Sequence, residues 1–150
     1  MLTLCVLKGY QFNVCDSDVK SVVGRTKTIP AKGSKDVSNI KLAVFSCANY
    51  PFGFFNAYGN VVNKDSVDYV VHLGDYIYEY KNGYYGWGDE FGRIPLPDRE
   101  IVTLYDYRKR LATYRTDESL YRNHQYFPVS NYYRQFHDVL LSSRGNCTPK

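Results

Sequence analysis

Three side chains carry the chemistry this sequence can be read to hold. They are Cys47, within Ser46-Cys-Ala-Asn49, and Asp75 and Tyr78, within His72-Leu-Gly-Asp-Tyr-Ile-Tyr78. A carboxylate three residues before a tyrosine meets it at one point if the stretch makes a turn of helix. A thiolate, a carboxylate and a phenolate together suit a hard, trivalent iron better than zinc. Taken singly, the readings are plainer. Cys47 is a small hydrophobe after an apolar strand, and Asp75 is a turn residue or a helix N-cap. Joint placement at two strand ends makes them a candidate site.

The elements that must do this placing are legible. Ile40-Lys-Leu-Ala-Val-Phe-Ser46 is a nearly continuous apolar run, as expected of a strand buried on both faces. Phe54, Phe55, Ala57, Tyr58, Val61 and Val62 fall on a helical stripe, with Pro51 near its start. Asp68-Tyr-Val-Val-His-Leu73 is a second buried strand, ending at Gly74. Strand, helix and strand within about 33 residues is the size of a βαβ unit, whose strands are parallel. Ligands bind such sheets outside the carboxyl ends of the strands, where Cys47 and Asp75 both fall. Gly74 lets the backbone turn there.

Around this unit the chain is more varied. Tyr10–Cys15 and Val22–Thr28 read as strands, with a third from Leu2 to Leu7, and Pro30–Asp36 as a linker. Residues 76–100 are a Tyr-, Gly- and Trp-rich insert bracketed by Pro95 and Pro97. Thr103-Leu-Tyr-Asp106 has capping-box spacing and opens a helix to about Arg115. A shorter helix follows Asp117 to His124, and Phe127-Pro128 stops it. Residues 129–150 read as a divergent, disordered tail.

Composition bounds the class. The 150 residues are 44% hydrophobic and 23% charged, which excludes a disordered or collagen-like chain. No apolar run nears the roughly 18 residues of a membrane span, so the chain reads as soluble. Cys5, Cys15, Cys47 and Cys147 show no CxxC spacing, which argues against structural zinc and leaves disulfide pairing open. Residues 1–8 have no basic n-region or cleavage site, so no compartment is indicated. A net charge of +4 fits an anionic partner weakly. Aromatics reach 17%, with 16 Tyr, and so many hydroxyls require half-buried surfaces or a lined cleft.

Phe45-Ser-Cys-Ala-Asn-Tyr-Pro-Phe-Gly-Phe-Phe-Asn-Ala-Tyr58, His72-Leu-Gly-Asp-Tyr-Ile-Tyr-Glu-Tyr80, Glu100–Arg108 and Tyr114-Arg-Thr-Asp117 occur in this order. Together they resemble the PhoD-like alkaline phosphatases, within the metallophosphoesterase superfamily. The resemblance runs from about Tyr10 to Pro128. It implies hydrolysis of phosphomonoesters or phosphodiesters at a cluster of ferric iron (Fe3+) and calcium (Ca2+). It also implies that Cys47 and Tyr78 bind iron and that Asp75 bridges metals. In fold terms it implies an α/β class: the first βαβ part of a metallophosphoesterase-type sandwich over residues 37–128, preceded in 1–30 by remnant strands of a β-sandwich domain. The family's next block, a Trp-Asp-Asp-His-Glu-like segment after a Phe-Pro, has no counterpart after Phe127-Pro128, so His137 and Asp138 inherit no role. The expectation is an incomplete, inactive fragment that holds iron partly and calcium hardly at all, since calcium takes six to eight oxygens. The family is often secreted.

Other features have plainer readings. His72 is a hydrogen-bonded core residue, and His124 sits favourably at a helix C-terminus. Tyr80, Tyr85 and Trp87 line a cleft mouth or pack on themselves. Arg108, Lys109, Arg110, Arg115 and Arg122 form a solvated helix face. The alternatives are a noncatalytic scaffold, or a basic aromatic binder of single-stranded nucleic acid. Nucleic acid is not expected, because no RNP-like or OB-type pattern is present.

Overall fold

The computed structural model describes residues 7–13, 18–28, 30, 32–34 and 38–131. The expected strand over residues 2–6, the cysteines Cys5, Cys15 and Cys147, and residues 132–150 lie outside them. Element order is β1 (Leu7–Tyr10), β2 (Gly24–Lys27), β3 (Leu42–Phe45), a 3-10 turn (Tyr50–Phe52), α1 (Asn56–Lys64), β4 (Tyr69–His72), α2 (Leu104–Tyr114), α3 (Glu118–Tyr126) and β5 (Val129–Asn131).

The βαβ expectation holds. β3 and β4 pair in parallel with Leu42 opposite Tyr69 and Phe45 opposite His72, and α1 makes the crossover. Helix α1 ends at Asp65, which takes a left-handed conformation and donates its N–H back to the Val61 and Val62 carbonyls. Strand β5 then adds to the far side of β4, also in parallel, giving the order β3-β4-β5. This corrects the expected tail at its first three residues. Pro128 ends α3, and its carbonyl accepts from the Val70 N–H, which starts the new strand in register.

Burial of β3 also departs from expectation. Ala43 is buried and Phe45 partly so, but Leu42 and Val44 are exposed. β3 is a sheet edge, and α1 with α3 covers one face only among the described residues. Ala43, Val62, Val70 and Phe127 fill that side. A second cluster joins Tyr50, Phe55, Tyr58, Tyr76, Ile77, Tyr114 and Leu120 below the strand ends. Helices α1 and α3 pack against each other where Gly59 meets Ser119, so closely that a Cβ at Gly59 would lie 2.6 Å from the Ser119 hydroxyl.

The N-terminal strands form an antiparallel pair: β2 lies within the expected Val22–Thr28 strand, whereas β1 falls one strand-length earlier than the expected Tyr10–Cys15 and shares only Tyr10 with it. Beyond Tyr10 the ladder gives way to Ser21, whose hydroxyl accepts from the Phe12 N–H, and to a single bridge between Asn13 and Lys20. Arg25 pairs with Asp65 at 3.1 Å and Lys27 with Asp68, tying β2 to the ends of α1 and β4. Helix α2 begins as expected, with the Thr103–Asp106 capping box fully made, and Asp117 caps α3 through the Leu120 N–H.

Candidate active site

Past their strands, the two chains run on side by side. The Leu73 N–H donates to Phe45, the Cys47 N–H to Gly74 and the Ala48 N–H to Asp75, at 2.8, 3.2 and 2.9 Å. To follow this path, Cys47 adopts φ 58° and Asp75 φ 52°. Left-handed backbone at non-glycine residues costs roughly 1–3 kcal/mol each and concentrates at functional sites. The result is convergence. The Cys47 Sγ lies 3.8 Å from the Asp75 Oδ2, and the Tyr78 hydroxyl donates to the same oxygen at 3.3 Å. All three expected residues therefore meet, although not by a helical turn: bends fall at Gly74, Tyr76 and Ile77, and the left-handed backbone at Asp75 aims the carboxylate.

Burial raises the Tyr78 phenol above its ordinary range, and the Cys47 and Asp75 groups beside it push the same way. Crowding of acidic donors is what a cation relieves, because a positive charge inverts the local cost of ionisation. Among the described residues no three of His, Cys, Asp and Glu cluster to hold a metal; what meets here is two such groups and a phenol.

Helix α2 positions this set through residues that were not expected to matter. The Tyr114 hydroxyl, wholly buried, accepts the backbone N–H of both Tyr50 and Tyr78 at 3.3 Å each. One oxygen thus bridges the segment after Cys47 and the segment after Asp75. Arg110, placed above on a solvated face, is 1% exposed and donates to the carbonyls of Tyr78, Tyr80, Leu96, Pro97 and Arg99. The solvated-face reading fails for Arg110 because the insert's carbonyls, having no strand partner, converge on it. Arg108, Lys109 and Arg115 do remain exposed.

The insert supplies a further unexpected member. Arg93 is buried, stacks 3.9 Å from the Tyr50 ring, and donates to the Tyr50 carbonyl and to Asp117 at 2.8 Å each. Asp117 also accepts the Phe55 N–H, so one buried pair ties the 3-10 turn to α3. No motif flags Arg93. Its one signal is a lone cation in a Gly- and aromatic-rich stretch.

The histidines divide. His72 behaves as expected, buried with its Nε2 3.0 Å from the Tyr58 hydroxyl. Burial also lowers its pKa. His124 does not act as a helix-end cation. Its Nε2 meets the Tyr76 hydroxyl at 2.6 Å, and burial first, then Arg115, drops its pKa to about 4. A cleft of about 310 Å³ opens beside the donors, lined by Cys47, Asn49, Phe52, Gly53, Phe54, Phe55, Tyr78 and Tyr85. Of the expected aromatic trio, only Tyr85 lines it.

Residues 42–133 match the sequence family described as PhoD-like phosphatase. The chain is 40% identical over 122 residues to alkaline phosphatase D of Bacillus subtilis (strain 168), covering 81% of this chain and 20% of that one. A solved structure titled "Structure of PhoD" superposes with a TM-score of 0.66 at 40% identity, over 76% of this chain and 21% of the other. The chain thus spans about a fifth of the length of these relatives. No helix among the described residues is long and apolar enough to cross a membrane. With more than half of its length inside the family match, and with both site loops inside it, the chain belongs to the PhoD-like phosphatase family.

Proposed function

We propose that this chain carries the first part of a phosphoester-hydrolysing centre, in which Cys47, Asp75 and Tyr78 hold ferric iron. The observation behind this reading is the meeting of a thiol and a phenol on one carboxylate oxygen, at 3.8 and 3.3 Å, outside two adjacent parallel strands. The donor set fits iron: a thiolate, a carboxylate and a phenolate are anionic, and none needs to leave its loop. Bound there, the ion supplies Lewis acidity to a phosphoryl oxygen. The chain's own residues do the holding. Asp75 receives both neighbours, Tyr114 keeps the loops in register, and the aromatic cleft receives the ester. Calcium does not fit these residues, which offer far fewer than its six to eight oxygens.

On the same reading, the three-stranded sheet is part of a metallophosphoesterase-type sandwich over residues 37–128, and the β1–β2 pair belongs to a preceding β-sandwich domain. Substrates are phosphomonoesters or phosphodiesters for the complete centre, and this chain alone is catalytically silent. Titration with ferric iron tests the donor set. A visible phenolate-to-iron band should appear and vanish in Tyr78→Phe, and no band in the unaltered chain overturns the iron reading. Turnover of bis(4-nitrophenyl) phosphate by purified 1–150, lost in Cys47→Ala or Asp75→Asn, would overturn the silence.

A further inference from the structure

The walls of the cleft beside the donors are not accounted for by the donor chemistry. Phe52 and Phe54 are 64% and 62% exposed, and Tyr85 is 51% exposed. Rings serving only as packing would be buried, because each gains a few kcal/mol by leaving water (about 1.5–3 for a Phe-sized side chain). Phe52 and Tyr85 instead form one continuous corner with Tyr78, and Phe54 stands on the same cleft wall. The Tyr85 ring lies 5.7 Å from Phe52, edge to face, and 5.6 Å from Tyr78.

The corner is also held in shape. The Asn49 side chain donates to the Tyr85 carbonyl at 3.0 Å. Gly86, at φ +100°, presses so close to Phe52 that a Cβ there would lie 2.9 Å from the ring. Cys47 and Tyr78 line the same space, and among the described residues no charged side chain does. A group beside a phosphoryl held at those two residues therefore meets ring faces and edges, with no ionic partner. Flat rings gain most from such surroundings, through offset and edge-to-face contacts.

We propose that Phe52, Phe54 and Tyr85 form the subsite for the alcohol portion of the ester, and that it selects phosphoesters whose alcohol is a flat, uncharged ring. This rests on the phosphoester reading above. The test is calorimetric titration of the chain, with equimolar ferric iron, using phenylphosphonate and methylphosphonate. Both keep the phosphoryl head and neither is hydrolysed. Phenylphosphonate should bind about tenfold more tightly. That preference should fall to within about twofold in Phe52→Ala. Tyr85→Leu is the second variant; it keeps the carbonyl that holds Asn49 and should have the same effect. Equal affinities in the unaltered chain, or a preference untouched in both variants, overturn the subsite while leaving phosphoryl binding in place. Binding of neither ligand overturns the subsite together with the phosphoester reading.

Discussion

Cys47 and Asp75 pay for their position with backbone strain, and that strain can be measured. At φ 58°, Cys47 occupies a region open to glycine at no steric cost. Its side chain is exposed and buries little. Cys47→Gly should therefore raise stability by about 1 kcal/mol, the relief of strain less the entropy of glycine. Cys47→Ala should not, since alanine keeps the Cβ. Melting temperatures of the two variants separate the cases, and a lower value for Cys47→Gly would contradict the account. Such a gain would mark a residue kept for its side chain against its own conformational preference. The opposite case is Gly88. A Cβ there would lie 2.1 Å from the Arg93 carbonyl oxygen, which is backbone and cannot step aside. Gly88→Ala should destabilise the chain by more than about 2 kcal/mol, read as a lower denaturation midpoint.

At the level of elements, α2 is where sequence reading and structure part most clearly. Its inner face is Asp106, Arg110, Thr113 and Tyr114, at helical spacing but almost entirely polar. Periodicity searches look for apolar stripes, so this face passes for the solvated one. What buries it is the insert over residues 76–100, whose carbonyls need donors and find Arg110. Strands β3 and β4, helix α1 and both helix caps were legible because each rests on local chemistry: β-branched runs, a 3.6-residue stripe, and side chains that bond amides three residues on. The convergence of Cys47 with Asp75 followed from topology. Arg93 and Tyr114 were not legible, because their partners lie 24 or more residues away in sequence. Arg110→Lys should cost about 2–4 kcal/mol, since an ammonium cannot span carbonyls that a planar guanidinium meets at fixed angles. Tyr114→Phe keeps the ring but strands two buried amides, at about 1–3 kcal/mol each at most. Denaturant unfolding checks both, and an unchanged midpoint would return α2 to the role of a plain amphipathic helix.

Across the whole molecule, one pH linkage near neutrality runs through His124. Its folded pKa, about 4, lies below the ordinary value of 6.5. The unfolded chain therefore binds the extra proton first. Stability is complete above pH 6.5 and is lost as pH falls from there toward about 4. Urea midpoints should drop between pH 7 and 5, and His124→Gln should flatten that slope. A midpoint that rises on acidification would reverse the sign and the argument. The β1–β2 pair responds to a different variable. It is tied to the α/β unit by two ion pairs that remain partly in water, so salt should loosen it first. The Tyr114 hydroxyl has the converse property. Because it receives an amide from each site loop, it fixes the gauge between the two rims as a tie fixes the gauge between rails. Any displacement of helix α2 would therefore act on both rims at once. It would shift them together rather than part them.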